Sequence, residues 1–347
     1  MSTKKFDKDR RGDIDIYLGE PNEQVRESMR AMLRGEGFRR TRTFARMEDL
    51  LSAFAQNSPD LLILADDLHA STFQLIKDVR QFKLGRNPFI LITMMVGGET
   101  DTNIKKAILA GCDDVLVKPV SPGKMLDRIV HFTFNRSPYI VTTDYLGPER
   151  RRTTDDRPSK IRQLTVVNTL RDKAEGKRIS SSELNRQVER CMTDVMAARL
   201  DSHGLKLGYI CNLILKAYEE KKIDKAVHDN LLVLVQVLED AGRTAKILGE
   251  PDLADICVDL ARQVEELAEA YENPPGSGLA TLRKLTRAFD LAKQSTEKRF
   301  SQNVIKPDQI KAAPPPQSAD APPPPAPVDT AGKGGDITIS AEDLLKG

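Results

Sequence analysis

Apolar runs recur at regular intervals through the first third of the chain. Asp13–Gly19 (DIDIYLG) alternates into a short strand that ends at Glu20-Pro21-Asn22-Glu23. Val25, Met29, Met32 and Leu33 then repeat at helical spacing until Gly35 and Gly37. Thr41 to Thr43 predicts a short strand and Met47 to Phe54 a helix. Pro59–Asp67 (PDLLILADD) is the sharpest signal. Leu61, Leu62, Ile63 and Leu64 run without a polar residue and stop at two carboxylates, as a strand buried on both faces of a parallel sheet does. A helix over Phe73–Phe82, a strand over Pro88–Thr93, a helix over Thr102–Ala110, a strand over Val115–Val117 and a helix over Lys124–Phe132 follow. Strand and helix thus alternate five times, which predicts an α/β, doubly wound, parallel five-stranded sheet over residues 13–135.

Beyond it the period changes. Pro138–Leu146 (PYIVTTDYL) is β-branched and predicts an extra edge strand on that sheet, followed by an arginine-rich linker to residue 160. From 161 to 300 helical spacing dominates. Ser180-Ser181-Ser182-Glu183 reads as a capped helix start running to Leu200, and Ser202-His203-Gly204 as a break with His203 in a loop or cap. Leu205–Tyr218, Asp229–Leu248, Leu253–Tyr271 and Leu279–Phe300 complete an all-α helical bundle. Residues 301–335 are rich in proline and alanine, cannot build a core, and predict a disordered spacer. In 336–347 apolar residues return, and Ile337, Ile339, Leu344 and Leu345 suit a docking peptide that orders on binding. Residues 1–12 form a basic arm.

Composition narrows the function classes. Lys and Arg number 53 against 51 Asp and Glu, a net charge of +2 that calls for neither nucleic acid nor membrane. No apolar run reaches the roughly 20 residues of a membrane span, and MSTKKFDKDRRGD lacks the apolar core of a secretory signal. Cys112, Cys191, Cys211 and Cys257 are scattered and read as reduced thiols of a cytoplasmic protein. No glycine-rich phosphate loop or nucleophile–base pair points to an enzyme.

The chemistry lies where strands end. Ligands of such sheets bind at the carboxyl ends of the strands, which here bring together Glu20 (or Glu23), Asp66, Thr93 and Lys118. Carboxylate oxygens suit magnesium, and a hydroxyl with an ammonium beside them would stabilise phosphoryl oxygens. This order of acids, Asp, Thr and Lys-Pro resembles the receiver domain of two-component response regulators. AGCDDVLVKPVSPGKMLDRI is similar to the AGADDYLVKPF-type close of that family. The resemblance implies Asp66 as phosphoacceptor, Thr93 and Lys118 as phosphoryl-stabilising groups, and a magnesium ion on Glu20 and Asp66. A histidine kinase or phosphotransfer protein would be the phosphoryl donor. The chain departs from the family pattern at several points. Gly19-Glu20-Pro21 replaces paired acids, Ala65 competes with Asp66 for the acceptor column, Met94 follows Thr93, and Val115 takes an aromatic's place. Asp66 therefore either accepts a phosphoryl group or, with Asp67, caps a strand in a docking module.

Residues 238–267 resemble the core of a histidine phosphotransfer domain, with Leu248-Gly249 and Leu253…Cys257…Leu260 in frame. The phosphorylated column falls on Glu239, and His228 lies three helical turns upstream. The sequence thus points to a response regulator whose atypical receiver is a phosphorylation- or partner-dependent switch, coupled to a helical domain that meets a downstream protein or a second copy. A phosphorylation-independent scaffold is the alternative, and a transcriptional regulator with a DNA-binding helical half a second one, disfavoured by the lack of a basic stripe.

Overall fold

The computed structural model describes residues 6–98, 101–150, 162–285 and 287–289. The spacer, the peptide bearing Ile337, Ile339, Leu344 and Leu345, and most of the arginine-rich linker lie outside the described residues. Five strands, β1 (Asp15–Gly19), β2 (Arg40–Phe44), β3 (Leu61–Ala65), β4 (Leu91–Val96) and β5 (Asp114–Val117), alternate with α1 (Glu23–Gly35), α2 (Met47–Gln56), α3 (Thr72–Arg80), α4 (Asp101–Leu109) and α5 (Pro122–Phe134). The strands are all parallel in the order β2-β1-β3-β4-β5, the doubly wound sheet that the alternation predicts. Tyr17, Leu62, Leu64, Ile92 and Met94 pack one face against α2 and α3. Ile16, Leu18, Ile63 and Met95 pack the other with Leu33 of α1 and Met125 and Ile129 of α5.

β4 starts three residues later than its apolar run. The carbonyls of Pro88 and Ile90 accept from Arg80 Nη1 at 2.5 and 2.9 Å, and that of Phe89 accepts from Arg136 Nη1 at 2.7 Å. Backbone oxygens held by guanidinium groups are taken from the ladder, so pairing begins at Leu91. Both arginines converge on buried Asp113, with Arg80 Nη2 2.8 Å from Oδ2 and Arg136 Nε 2.8 Å from Oδ1. Burial pushes the Asp113 carboxyl up, but Arg136 and Arg80 outweigh it and hold the group below the usual carboxylate range.

Pro138–Leu146 does not extend the main sheet. β6 (Tyr139–Val141), β7 (Leu146–Pro148) and β8 (Gln163–Leu164) form a separate antiparallel sheet in the order β7-β6-β8. Its anchor is Tyr139, fully buried, whose hydroxyl donates to Asp113 Oδ1 at 3.1 Å. α6 (Thr169–Ala174) then returns to the amino edge of the main sheet, where Lys173 Nζ lies 2.9 Å from Asp15 and 2.6 Å from Asp60.

The helical half consists of α7 (Ser181–Glu219), α8 (Lys225–Ile247), α9 (Pro251–Glu269) and α10 (276–285 and 287–289). Ser180 caps α7 by accepting from Glu183 N at 3.2 Å. Leu207, Ile210, Ile214, Leu231, Leu234, Leu238, Cys257, Val264, Leu282 and Phe289 share one core. The expected break at Ser202-His203-Gly204 is absent, and α7 runs through it for 39 residues. His203 is buried within the packed face, and that tertiary burial overrides the weak helix propensity of Gly204. All four cysteines are free thiols. No helix among the described residues is long and apolar enough to cross a membrane.

His203 gives the fold a pH signature. Burial pushes its imidazole down to about 4, with Asp240 and Asp144 opposing and Arg199 and Lys206 reinforcing. An unfolded imidazole binds its proton near 6.5, so between these values the unfolded chain holds more protons. The His203 contribution is complete above about 6.5 and is lost as pH falls towards about 4. Denaturant melts at neutral and mildly acid pH should show His203→Leu losing less stability on acidification than the natural chain. Parallel losses in both proteins would contradict this.

Candidate functional site

The carboxyl ends of β1, β3, β4 and β5 line one edge of the sheet, and register fixes what stands there. Gly19 pairs with Leu64, Ala65 with Met95 and Val96 with Val117. The next residues along, Glu20, Asp66, Gly97 and Lys118, therefore open the mouth. Backbone bonds extend the ladder by one step, Asp66 N to Met95 O at 2.9 Å and Lys118 N to Val96 O at 2.8 Å.

Lys118 is the electrostatic centre. Its Nζ lies 2.9 Å from Glu20 Oε2 and 2.9 Å from Asp67 Oδ1. The contact with Glu20 is an ion pair by distance whose angle makes a poor hydrogen bond. That with Asp67 is a proper one. Burial acts to lower the ammonium's pKa, but Asp67 and Glu20 outweigh it and hold Lys118 above the ordinary lysine value. Glu20 is buried, and its Oε1 accepts from Asn22 N at 3.0 Å in the turn that starts α1. Asp67 is exposed.

Asp66 faces another way. Its Oδ1 accepts from Gly97 N and its Oδ2 from Asn103 Nδ2 of α4, each at 3.0 Å. Adjacent residues at a strand end project in opposite directions, so Asp66 braces the start of α4 while Asp67 reaches Lys118. Thr93 is buried inside β4, opposite Ile63 and Asp114 and three residues short of the strand end. The arginine-capped carbonyls that delay β4 carry Val96, not Thr93, to the mouth. Of the four residues expected there, the structure brings Glu20 and Lys118 together, sets Asp66 beside them on different partners, and keeps Thr93 in the sheet. Asp67 completes the charge cluster; its adjacency to Asp66 in PDLLILADD was the only hint in the sequence.

An apolar plug adjoins the acids. A Cβ on Gly19 would come within 2.7 Å of Leu68 Cδ2 and 2.9 Å of Leu64 Cδ2. The space of a first acid is thus filled by leucine. Two carboxylates, both already on one ammonium, make a poor cradle for magnesium, which prefers octahedral oxygen donors at about 2.0–2.1 Å. No group of three or more His, Cys, Asp or Glu of metal-holding geometry occurs among the described residues. With Lys118 in place the residues do not fit the ion.

A model of the response regulator receiver domain family matches residues 16–130. This part of the chain is a receiver domain. Among solved structures, the receiver domain of a sensor histidine kinase from Pseudomonas aeruginosa PAO1, with magnesium coordinated in its active-site cleft, is similar. It is 22% identical and covers 34% of this chain and 94% of its own, with a TM-score of 0.30. A search of curated proteins gives no match. The helical half, outside the matched span, sets Glu239 on an exposed surface 3.8 Å from Arg243, and His228 at 3.6 Å from Asp229.

Removing the receiver's central ammonium leaves Glu20 buried without its countercharge, which costs on the order of 3–5 kcal/mol. It also frees two carboxylates for a cation. Lys118→Met should therefore melt earlier than the natural chain and regain stability with millimolar magnesium, while the natural chain stays insensitive. Equal responses of the two proteins in thermal melts would refute the assignment.

Proposed function

We propose that this chain is a two-component response regulator whose receiver domain is switched by docking of a partner rather than by phosphoryl transfer to Asp66. The observation that carries this reading is the division of the acids. The ammonium that would neutralise a phosphoryl group is held by Glu20 and Asp67, whereas Asp66 is engaged by Gly97 and Asn103. A phosphoryl group on either Asp66 oxygen would displace the hydrogen bond that oxygen accepts, and it would lack the hydroxyl of Thr93. The natural partner is a histidine kinase or phosphotransfer protein that recognises the receiver surface, with a downstream protein reading the helical half.

The route between the halves supports a switch. Asp113 joins the start of β5 to Tyr139 of β6. Tyr139, Val141 and Leu146 pack with Val188, Val195 and Ala198 of α7. In the β6–β7 turn, Asp144 lies 3.2 Å from Lys206 of α7. A displacement at β4 or β5 would thus reach α7 through packed side chains and ion pairs.

Phosphorylation remains the second reading, favoured by the position of Asp66 at the sheet mouth; in it magnesium would recruit Glu20 and Asp66 once Lys118 had moved. The full chain is treated with acetyl phosphate or beryllofluoride and magnesium, alongside Asp66→Ala and Asp67→Ala. Intact mass and amide shifts are then followed. The expected outcome is no uptake and no site-specific shifts in any of the three. Uptake that disappears in Asp66→Ala would overturn the proposal and establish phosphorylation, with Lys118 as its stabilising group.

A further inference from the structure

The second half of α7 carries a surface that the other described residues leave open. Leu207, Ile210 and Ile214 face the helical core, while Leu205, Tyr209 and Leu213 remain 50%, 48% and 37% exposed. They are spaced i, i+4, i+8, so they form one ridge about 12 Å long on the outer side of the helix. The neighbouring row is Gly204, Gly208 and Asn212, a low trench beside the ridge. Two glycines within a helix cost roughly 1 kcal/mol each relative to alanine, yet here they neither end nor interrupt it. Nine consecutive residues, 207–215 (LGYICNLIL), carry no charge. On α8 and α9 the exposed apolar residues Leu232, Ile247 and Val258 form no such row, and those helices bear the surface pairs Arg243 with Glu239 and Arg262 with Glu266.

We infer that this face is where a second copy of the chain docks, α7 crossing α7 antiparallel about a two-fold axis between Gly208 and Tyr209. A high i±4 row beside a low one is self-complementary, because each ridge fits the other copy's trench when i±4 rows interdigitate. About that axis Tyr209 of one copy enters the other's trench at Gly208, Leu213 at Gly204 and Leu205 at Asn212. Charge sets the direction. Asp201 lies one turn before the ridge, and Lys216, its side chain 72% exposed and its Nζ 3.8 Å from Glu220 Oε1, just beyond it. An antiparallel crossing brings each Asp201 to the other copy's Lys216; a parallel one sets like against like. Three half-exposed side chains and two flanking charges make a small interface, of the class that associates transiently. The inference does not depend on phosphoryl uptake, since none of these residues lies in the receiver domain.

Sedimentation equilibrium of the full chain over a wide concentration range tests it. A reversible monomer–dimer equilibrium is expected, with the dissociation constant raised at least tenfold by Tyr209→Asp and by Leu205→Asp. Both residues are exposed, so circular dichroism and thermal melts should be unchanged. Gly208→Leu is the decisive control. It adds apolar surface but fills the trench, and should also weaken the dimer; strengthening would show unspecific apolar contact and overturn the proposal. Asp201→Lys and Lys216→Asp should each weaken association and together restore it. Failure of the double reversal to restore, a monomer at every concentration, or a dimer indifferent to Tyr209→Asp would each overturn it.

Discussion

The ion cluster on Asp113 governs the geometry of everything at the sheet mouth. One fully buried carboxylate holds two buried guanidinium groups, and a buried charge is stable only when paired and hydrogen-bonded on all sides. Arg80 meets that demand with the carbonyls of Gly111, Pro88 and Ile90, and Arg136 with those of Phe89, Ile90 and Val167. Asp113 Oδ2 also accepts from Ile92 N at 2.8 Å. The residues before β4 are therefore pinned by side chains, and the strand's register follows from that pinning. Because β4 begins at Leu91 and ends at Val96, a valine and two glycines reach the edge where a hydroxyl was expected.

The same cluster is the root of the second half. Arg136 follows α5 directly and its guanidinium lies over the Tyr139 ring at 4.8 Å, with Arg80 on the same ring at 5.4 Å. Tyr139 is thereby fixed as the first residue of β6, and the small antiparallel sheet grows from it. α7 packs on that sheet before it enters the helical core. One 39-residue helix thus spans both environments, so its two halves cannot move independently without bending it.

How far the sequence revealed this depended on range. The alternation of apolar runs with helical spacing is a local signal, and it located all five strands and the parallel sheet. Glu20 and Lys118 were legible as strand-end residues for the same reason. The start of β4 was not, because Arg80 and Arg136 act from other elements on carbonyls that carry no mark in the sequence. The continuity of α7 was hidden in a similar way. Ser202-His203-Gly204 is a poor local helix former, and only packing against the helical half makes it one. Pro138–Leu146 had the composition of an edge strand, but the buried Tyr139 hydroxyl on Asp113 turns it into a sheet of its own. The choice between Asp66 and Asp67 lay below what periodicity resolves, since one residue at a strand end reverses the side chain's direction.

That single-residue choice decides the character of the receiver. An ammonium between two carboxylates is already fully paired, and a divalent cation or a phosphoryl group must displace it or share its partners. Leu68 against Gly19 reinforces this, since it puts hydrocarbon where a second acid would draw in a cation. The mouth is consequently stable without a ligand, and Lys118 has little free energy to gain from moving. Side-chain contacts to the surrounding helices run through Asn103 of α4, on Asp66, and Lys206 of α7, on Asp144. The buried charges that set β4 fix its lower end, so the strand's register is decided there and what stands at the mouth follows from it.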